Sequence, residues 1–338
     1  MANNLNVHCL APWVAASIYP GNQFAPCCIW QDKFESTYAN LENIRQQIIQ
    51  GVIPNGCADC TYRFEFDNYD SFKKLQFLEI KNDITCNLKC RSCSELYSSS
   101  IAVEELGTSF VNLYSPFDLE QLDLTNISKI YFTGGEPFLN PQHVEILLNI
   151  KDTTSVELTY NTNLHFLNYK KYYLPDIWAN FKKVRVNASI DAVEEMAAHI
   201  RSNSNWNKVE SNLNKLKQLS NVEIFVTPVI SALNIWWFDC WSKYFDWLDV
   251  SHMEPIVPVD IYTGVQIIPR EYRADLTEII KSSPFAGKLT TVLDMLNNQF
   301  DETHWDNFIF RQQQLDQKRN EQWIKNFLNI ATKFKNSV

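Results

Sequence analysis

Cys86, Cys90 and Cys93 stand in the run ITCNLKCRSC, with three residues between the first pair and two between the second. Thiolates held this closely on one loop can reach three corners of an iron–sulfur cube. A cube of four irons then keeps one iron open to another ligand, which marks a reactive cluster rather than an electron carrier with four thiolates. Zinc is the other chemistry such cysteines serve, but its structural sites favour paired CxxC half-sites with four protein ligands. No further Cys or suitable His follows Cys93 locally, the next His being His143. The spacing therefore points to iron–sulfur first and zinc second.

Residues 130–140 read IYFTGGEPFLN, an apolar strand running into Gly134, Gly135, Glu136 and Pro137. Paired glycines allow a backbone to approach a ligand closely, and Glu136 offers an acceptor for an ammonium group. CxxxCxxC followed about forty residues later by GGEP resembles the radical S-adenosylmethionine (SAM) superfamily. The resemblance implies a [4Fe–4S] cluster on Cys86, Cys90 and Cys93 whose open iron chelates SAM. An electron from the cluster then cleaves SAM, and a 5′-deoxyadenosyl radical takes a hydrogen from the substrate. The family usually has an aromatic residue just before the third cysteine; here Ser92 stands there, leaving its backbone to meet the adenine edge. The segment Asn187-Ala188-Ser189-Ile190-Asp191 resembles the family's ribose-binding S-I-D element. His199-Ile200-Arg201 resembles an I-R element of peptide-modifying members, whose Arg meets the SAM carboxylate through two donors. Asn163, in Asn161-Thr162-Asn163, stands where many members carry T-N-G.

A second cysteine set precedes the first: Cys9, Cys27, Cys28, Cys57 and Cys60. A Cys, then Gly21, a further Cys and a CxxC resemble the auxiliary-cluster domains called SPASM or twitch, which usually follow the barrel rather than precede it. The resemblance implies one auxiliary iron–sulfur cluster on Cys9, Cys27, Cys57 and Cys60, with Cys28 a spare or an alternative to Cys27. A structural zinc tetrathiolate fits the same residues. The remaining Cys240, inside IWWFDCWSKYF, reads most simply as a buried small apolar residue, and alternatively as a thiol that quenches a substrate radical.

Nine cysteines, eight of them before residue 94, would suggest disulfides in a secreted chain. The opening MANNLNVHCL lacks a basic region, an apolar core and a cleavage site, so a reducing, cytoplasmic setting is expected and the thiols read as metal ligands. No apolar run reaches membrane-spanning length. The net charge of −9 argues against a nucleic-acid backbone as the main partner. Basic residues in 311–338 (Arg311, Lys318, Arg319, Lys325, Lys333 and Lys335) read as a solvated helix face.

Strand-like segments at 75–83, 127–133, 155–161, 183–190, 222–230 and 249–257 alternate with helix-like ones such as PQHVEILLNIK and WNKVESNLNKLKQL. This alternation predicts βαβ units and a parallel sheet. It agrees with the partial (β/α)6 TIM-like barrel that the resemblance implies, with chemistry at the C-terminal strand ends. The expected divisions are a cysteine-rich auxiliary-cluster domain at 1–74, the barrel at 75–260 and a helical region at 261–338. Trp236, Trp237, Trp241 and Trp247 are expected to cover the barrel or an interface, and Trp323, Phe327, Ile330, Ala331 and Phe334 to pack as one helix face. Residues 255–262 are expected at the barrel mouth. By resemblance, the substrate is a peptide or protein, or alternatively a small metabolite or sugar-linked compound, and the electron donor is a flavodoxin or ferredoxin. A non-catalytic zinc or iron–sulfur protein is the reading from a different class. Substrate identity, reaction outcome, the fate of SAM and oligomeric state are not encoded in these motifs.

Overall fold

The computed structural model describes residues 9–21, 23–27, 30, 40–58, 60, 74–107, 116–118, 122–260, 262–299 and 301–335, with side chains through residue 330. Its centre is a seven-stranded sheet of β1 (Ala15–Tyr19), β2 (Gln23–Ala25), β3 (Phe77–Ile80), β4 (Lys129–Phe132), β5 (Glu157–Thr162), β6 (Lys183–Ala188) and β7 (Val222–Val226). The strand order is β7-β6-β5-β4-β3-β1-β2, parallel throughout except for the antiparallel β1–β2 hairpin. This mixed α/β architecture is consistent with a partial barrel.

Period-2 alternation decides which face of each strand meets the helices. Leu78, Ile80, Ile130, Phe132, Leu158, Tyr160, Val184 and Val186 are buried in one continuous core. The residues between them are polar or charged: Glu79, Tyr131, Thr159, Asn161, Arg185 and Asn187. The helices α1 (Leu41–Ile49), α2 (Ser99–Leu106), α3 (Pro141–Asn149), α4 (Leu174–Trp178), α5 (Glu194–Ile200) and α6 (Trp206–Leu216) fall between the strands. Side-chain caps start three of them: Ser98 accepts from Ile101 N, Asn140 from Gln142 N, and Asn205 from Lys208 N. Beyond β7 lie α7 (Phe238–Tyr244), α8 (Arg270–Ser282), α9 (Thr290–Asn298), α10 (Trp305–Arg319) and α11 (Trp323–Lys335).

Several expectations are corrected here. Residues 249–257 form no strand. Asp249 Oδ1 accepts from Ser251 N at 2.7 Å to start the short turn Val250–His252, and Pro255 lacks an N–H for a ladder. Two isolated parallel bridges, Val226–Met253 and Val229–Ile256, are what this segment contributes. At the other edge, β1 and β2 come from the N-terminal 74 residues and pair onto β3, so the sheet runs across the expected boundary at residue 75. Cys240 is exposed rather than buried. Trp236, Trp237 and Trp241 are core residues, whereas Trp247 is largely exposed under the Lys217 ammonium. The basic face of 311–338 is partly committed: Arg319 is buried against Glu104, and Lys318 pairs with Glu105 at 3.1 Å. Cys28 lies outside the described residues, as do the side chains of Ala331, Lys333, Phe334 and Lys335.

Through residue 330, the expected face of α11 packs inward. Trp323 is fully buried, stacks on Phe327 with ring centroids 5.2 Å apart and donates from Nε1 to Leu233 O at 3.1 Å. Trp323→Ala should therefore cost about 3–5 kcal/mol of unfolding free energy. Urea denaturation measures this, and an unchanged midpoint would mean that α11 is not part of the core.

Candidate active site

The cysteine loop leaves β3 and the GGEP turn leaves β4, two neighbouring parallel strands, so both emerge at the same end of the sheet. Their exits are strapped together backbone to backbone. Gly135 N donates to Asp83 O at 3.0 Å and Glu136 N to Thr85 O at 2.7 Å. Gly134 holds φ +112°, and a Cβ on it would lie 2.6 Å from Asp83 O; one on Gly135 would lie 2.3 Å from Thr85 O. The missing side chains of the glycine pair admit the backbone of residues 83–85, while both glycines also line the cavity. Asp83 Oδ1 closes that segment by accepting from Thr85 N at 2.8 Å, directly before Cys86.

Glu136 is thereby fixed with its carboxylate buried. Oε1 accepts from Thr162 Oγ1 at 2.7 Å, and Oε2 from Asn163 N at 2.8 Å. Burial nevertheless dominates and pushes its pKa up to about 7, against the hydrogen bonds from Asn163, Thr162 and Phe138. Asn163 also donates from Nδ2 to Asn87 Oδ1 at 2.9 Å, which ties the end of β5 to the cysteine loop.

Cys90 sits in a two-residue antiparallel ladder with Arg201, and Lys89 pairs likewise with Ser202. Arg201 donates from Nε to Asp191 Oδ2 at 2.8 Å, and its Nη1 lies 3.8 Å from Cys90 Sγ. Burial works against the Arg201 charge, and Asp191 with Cys90 and Cys86 more than offsets it, so the guanidinium stays protonated. Burial pushes the Cys86 thiol up to about 11 and the Cys90 thiol to about 12, with Arg201 pulling the other way; Cys93 is raised for the same reason.

These groups line one cavity of about 580 Å³. It brings together Cys86, Cys90, Cys93, Ser92, Gly134, Gly135, Glu136, Asn163, Ser189 and Arg201. Two expected residues do not line it. Pro137 is buried in the short turn Pro137–Leu139, and Asp191 stands behind Arg201 with Oδ1 accepting from Val229 N at 2.8 Å. Ile256, Asp260 and Tyr262 of the expected mouth segment line it, as do Asn161 and Thr162 beside Asn163. Tyr97 and Arg311 were missed. Tyr97 was within reach as an aromatic four residues after Cys93, but nothing local marks Arg311, over 200 residues further on.

Three thiols on one wall suit a group with several metal atoms, each taking one thiolate. Among the described residues, no three Cys, His, Asp or Glu side chains stand close enough to share a single metal ion. Any group they hold would have to span the space between them.

Residues 84–234, which build most of this cavity, match the family model described as "Radical SAM superfamily". That part of the chain is similar to radical SAM domains, and the superfamily is one of enzymes. The chain is 28% identical over 161 residues to a probable GTP 3′,8-cyclase of Methanococcus maripaludis (strain C7), covering 46% of this chain and 47% of that protein. It is 24% identical over 162 residues to a 7-carboxy-7-deazaguanine synthase of Clostridium acetobutylicum, covering 44% of this chain and 71% of that protein. The chain thus spans about half the length of the cyclase. Among solved structures, native anSMEcpe with bound AdoMet aligns with a TM-score of 0.44 and 19% identity, covering 67% of this chain and 62% of that one.

Because the glycine strap leaves no room for a methyl group, Gly135→Ala should displace Thr85 and with it Cys86. The expected result is a protein with near-parental far-UV circular dichroism that takes up much less iron at the Cys86–Cys93 loop. Full iron uptake by a folded Gly135→Ala protein would show that the strap does not position the loop.

Proposed function

We propose that this chain is a radical SAM enzyme acting on a peptide or protein, with a [4Fe–4S] cluster held by Cys86, Cys90 and Cys93. The observation that carries this reading is the single cavity on which the three thiols, Glu136, Asn163, Ser189 and Arg201 converge. When bound, the cluster supplies the electron that cleaves SAM to methionine and a hydrogen-abstracting 5′-deoxyadenosyl radical. The protein's part is to orient SAM. Glu136 accepts its ammonium, Arg201 pairs with its carboxylate, and Ser189 meets the ribose. The backbone at Ser92 and Gly134 borders the adenine. Asp191 serves by aiming Arg201 rather than by touching SAM.

A peptide or protein substrate is favoured by the rim of the cavity. Tyr97 is 63% exposed and Tyr262 62%, with Ile256 between them at 56%. Large apolar side chains left in water around a cavity mouth suit a partner that extends beyond it. A small-molecule substrate is the second reading, favoured by the purine-related names of the curated relatives. Deuterium transfer into 5′-deoxyadenosine from labelled peptides or from labelled metabolites separates the two.

The N-terminal cysteines are read as ligands of a second, auxiliary cluster carried by residues 1–74, whose β1 and β2 extend the sheet of the 75–260 barrel, with 261–338 as the helical region. In support, Cys60 acts electrostatically on Cys9, while Cys27 and Cys57 pack against one small buried cluster that includes Trp13 and Trp30. The Trp30 ring lies on Gly56, where a Cβ would stand 2.4 Å from it. A zinc tetrathiolate, the competing occupant, would require these thiols to draw together, since among the described residues no three of them stand close enough to share one ion. A flavodoxin or ferredoxin as electron donor and a cytoplasmic setting complete the proposal. Among the described residues no helix is long and apolar enough to cross a membrane.

Anaerobic reconstitution tests both metal assignments. About eight irons per chain is expected, with 5′-deoxyadenosine formed on reduction in the presence of SAM. About four irons with cleavage would make the N-terminal site zinc or empty. Cys90→Ala should abolish cleavage yet keep the auxiliary iron, and surviving cleavage would overturn the catalytic assignment.

SAM binding should also depend on pH. Glu136 accepts an ammonium only as a carboxylate, and its pKa is pushed up to about 7. Affinity should therefore rise with pH through about 7 and weaken by up to about tenfold per unit below it. Glu136→Gln should bind more weakly and lose this dependence. A parental affinity flat from pH 6 to 8 by calorimetry would remove Glu136 from the ammonium site.

A further inference from the structure

The second cluster cysteine is held from an unexpected direction. The two residues beside Cys90 are both fastened to the C-terminal hairpin of α10 and α11. Arg91 has no exposed side-chain surface. It donates from Nε to His199 O at 2.8 Å and from Nη1 to Gln312 Oε1 at 3.1 Å, and its Nη2 pairs with both Asp316 and Glu321. Asp316 is engaged twice more, accepting from Trp323 N at 3.1 Å and Ile324 N at 2.9 Å at the start of α11. On the other side of Cys90, Arg319 donates from Nη1 to Lys89 O at 2.9 Å and to Ser202 Oγ at 3.1 Å. It also pairs with Glu104, which in turn accepts from Lys89 Nζ at 3.0 Å.

These ties reach both strands of the short ladder that carries Cys90 and Arg201. Two arginines separated by 228 positions therefore pin a four-residue ladder from both sides. Buried ionic clusters of this kind are a poor source of stability, since well-packed apolar groups do as well or better. What they do supply is a single geometry, because a guanidinium meets its acceptors only in a fixed planar fork.

We infer that the α10–α11 hairpin is a clamp that sets where Cys90 and the Arg201 guanidinium stand relative to the cluster, with Arg91 and Arg319 as its positioning residues. This rests on the reading of Cys90 as a cluster ligand. Peptide-resolved alkylation of the metal-free full chain tests the clamp without using the cluster. Arg319→Met, and the charge-neutralised triple variant Arg91→Met, Asp316→Asn, Glu321→Gln, should keep a cooperative melt. Both should let Cys90 react roughly tenfold faster than in the parent, while Cys9 reacts at its parental rate. Arg91→Lys, without the planar fork, should not restore slow Cys90 alkylation. In the reconstituted protein, the electron paramagnetic resonance signal of the reduced cluster should shift in the same variants. Unchanged Cys90 alkylation together with an unchanged signal in folded Arg319→Met would overturn the clamp. If the triple variant fails to fold, Arg319→Met alone decides. A parent that takes up no iron at this loop would instead sink the cluster reading, and the alkylation result would still judge the clamp.

Discussion

The site depends on one contact, the backbone of Gly134–Glu136 lying directly against the backbone of residues 83–85. Parallel strands alone bring β3 and β4 side by side, but their exit loops would normally diverge once the ladder ends. Two residues without Cβ let the loops continue in hydrogen-bonded contact past the sheet. The contact fixes Cys86 on one side and the Glu136 carboxyl on the other, so a thiol and a carboxyl group share a wall. Thr162 and Asn163, from the end of β5, then close around that carboxylate. Three successive strand ends are thus tied through one glutamate.

Beneath the cavity the sheet divides its chemistry by face. Apolar side chains face the helices, while the other face carries a connected polar row: Asn187 Nδ2 donates to Asn161 Oδ1 at 2.8 Å, and Arg185 Nε to Asn187 Oδ1 at 2.7 Å. Arg185 also pairs with Glu254 and covers the Phe225 ring. A fully buried parallel sheet would be apolar on both faces. One polar face beside the thiol-lined cavity is what an α/β enzyme needs if its substrate enters from that side.

Much of the site was legible because its parts are local. CxxxCxxC and GGEP each act over a few residues, and their meaning comes from residue type and spacing. The strands of the sheet were legible through apolar alternation, although 249–257 misled: Pro255 interrupts its apolar residues and Pro258 follows it directly. What was not legible is long-range. Nothing in AASIY says that β1 will pair with residues 77–80, since short strands declare their type and not their partner. The same holds for Arg91: in the sequence it is one more basic residue in a cysteine loop, and only the fold supplies Gln312, Asp316 and Glu321.

Electrostatics connects these long-range ties to the chemistry. Burial pushes the Cys86 and Cys90 thiols far above the range in which they would ionise unaided, and Arg201 offsets only part of that shift. Metal ligation would require thiolates, so a metal bound here would itself have to drive the loss of these protons. A buried loop that exchanged protons for metal could not rely on its own thiols to keep its shape. Asp191 orients Arg201 from one side, and Arg91 and Arg319 hold the ladder from the other. The geometry is therefore imposed by groups other than the cysteines themselves, so the loop can keep its form while its cysteines change charge.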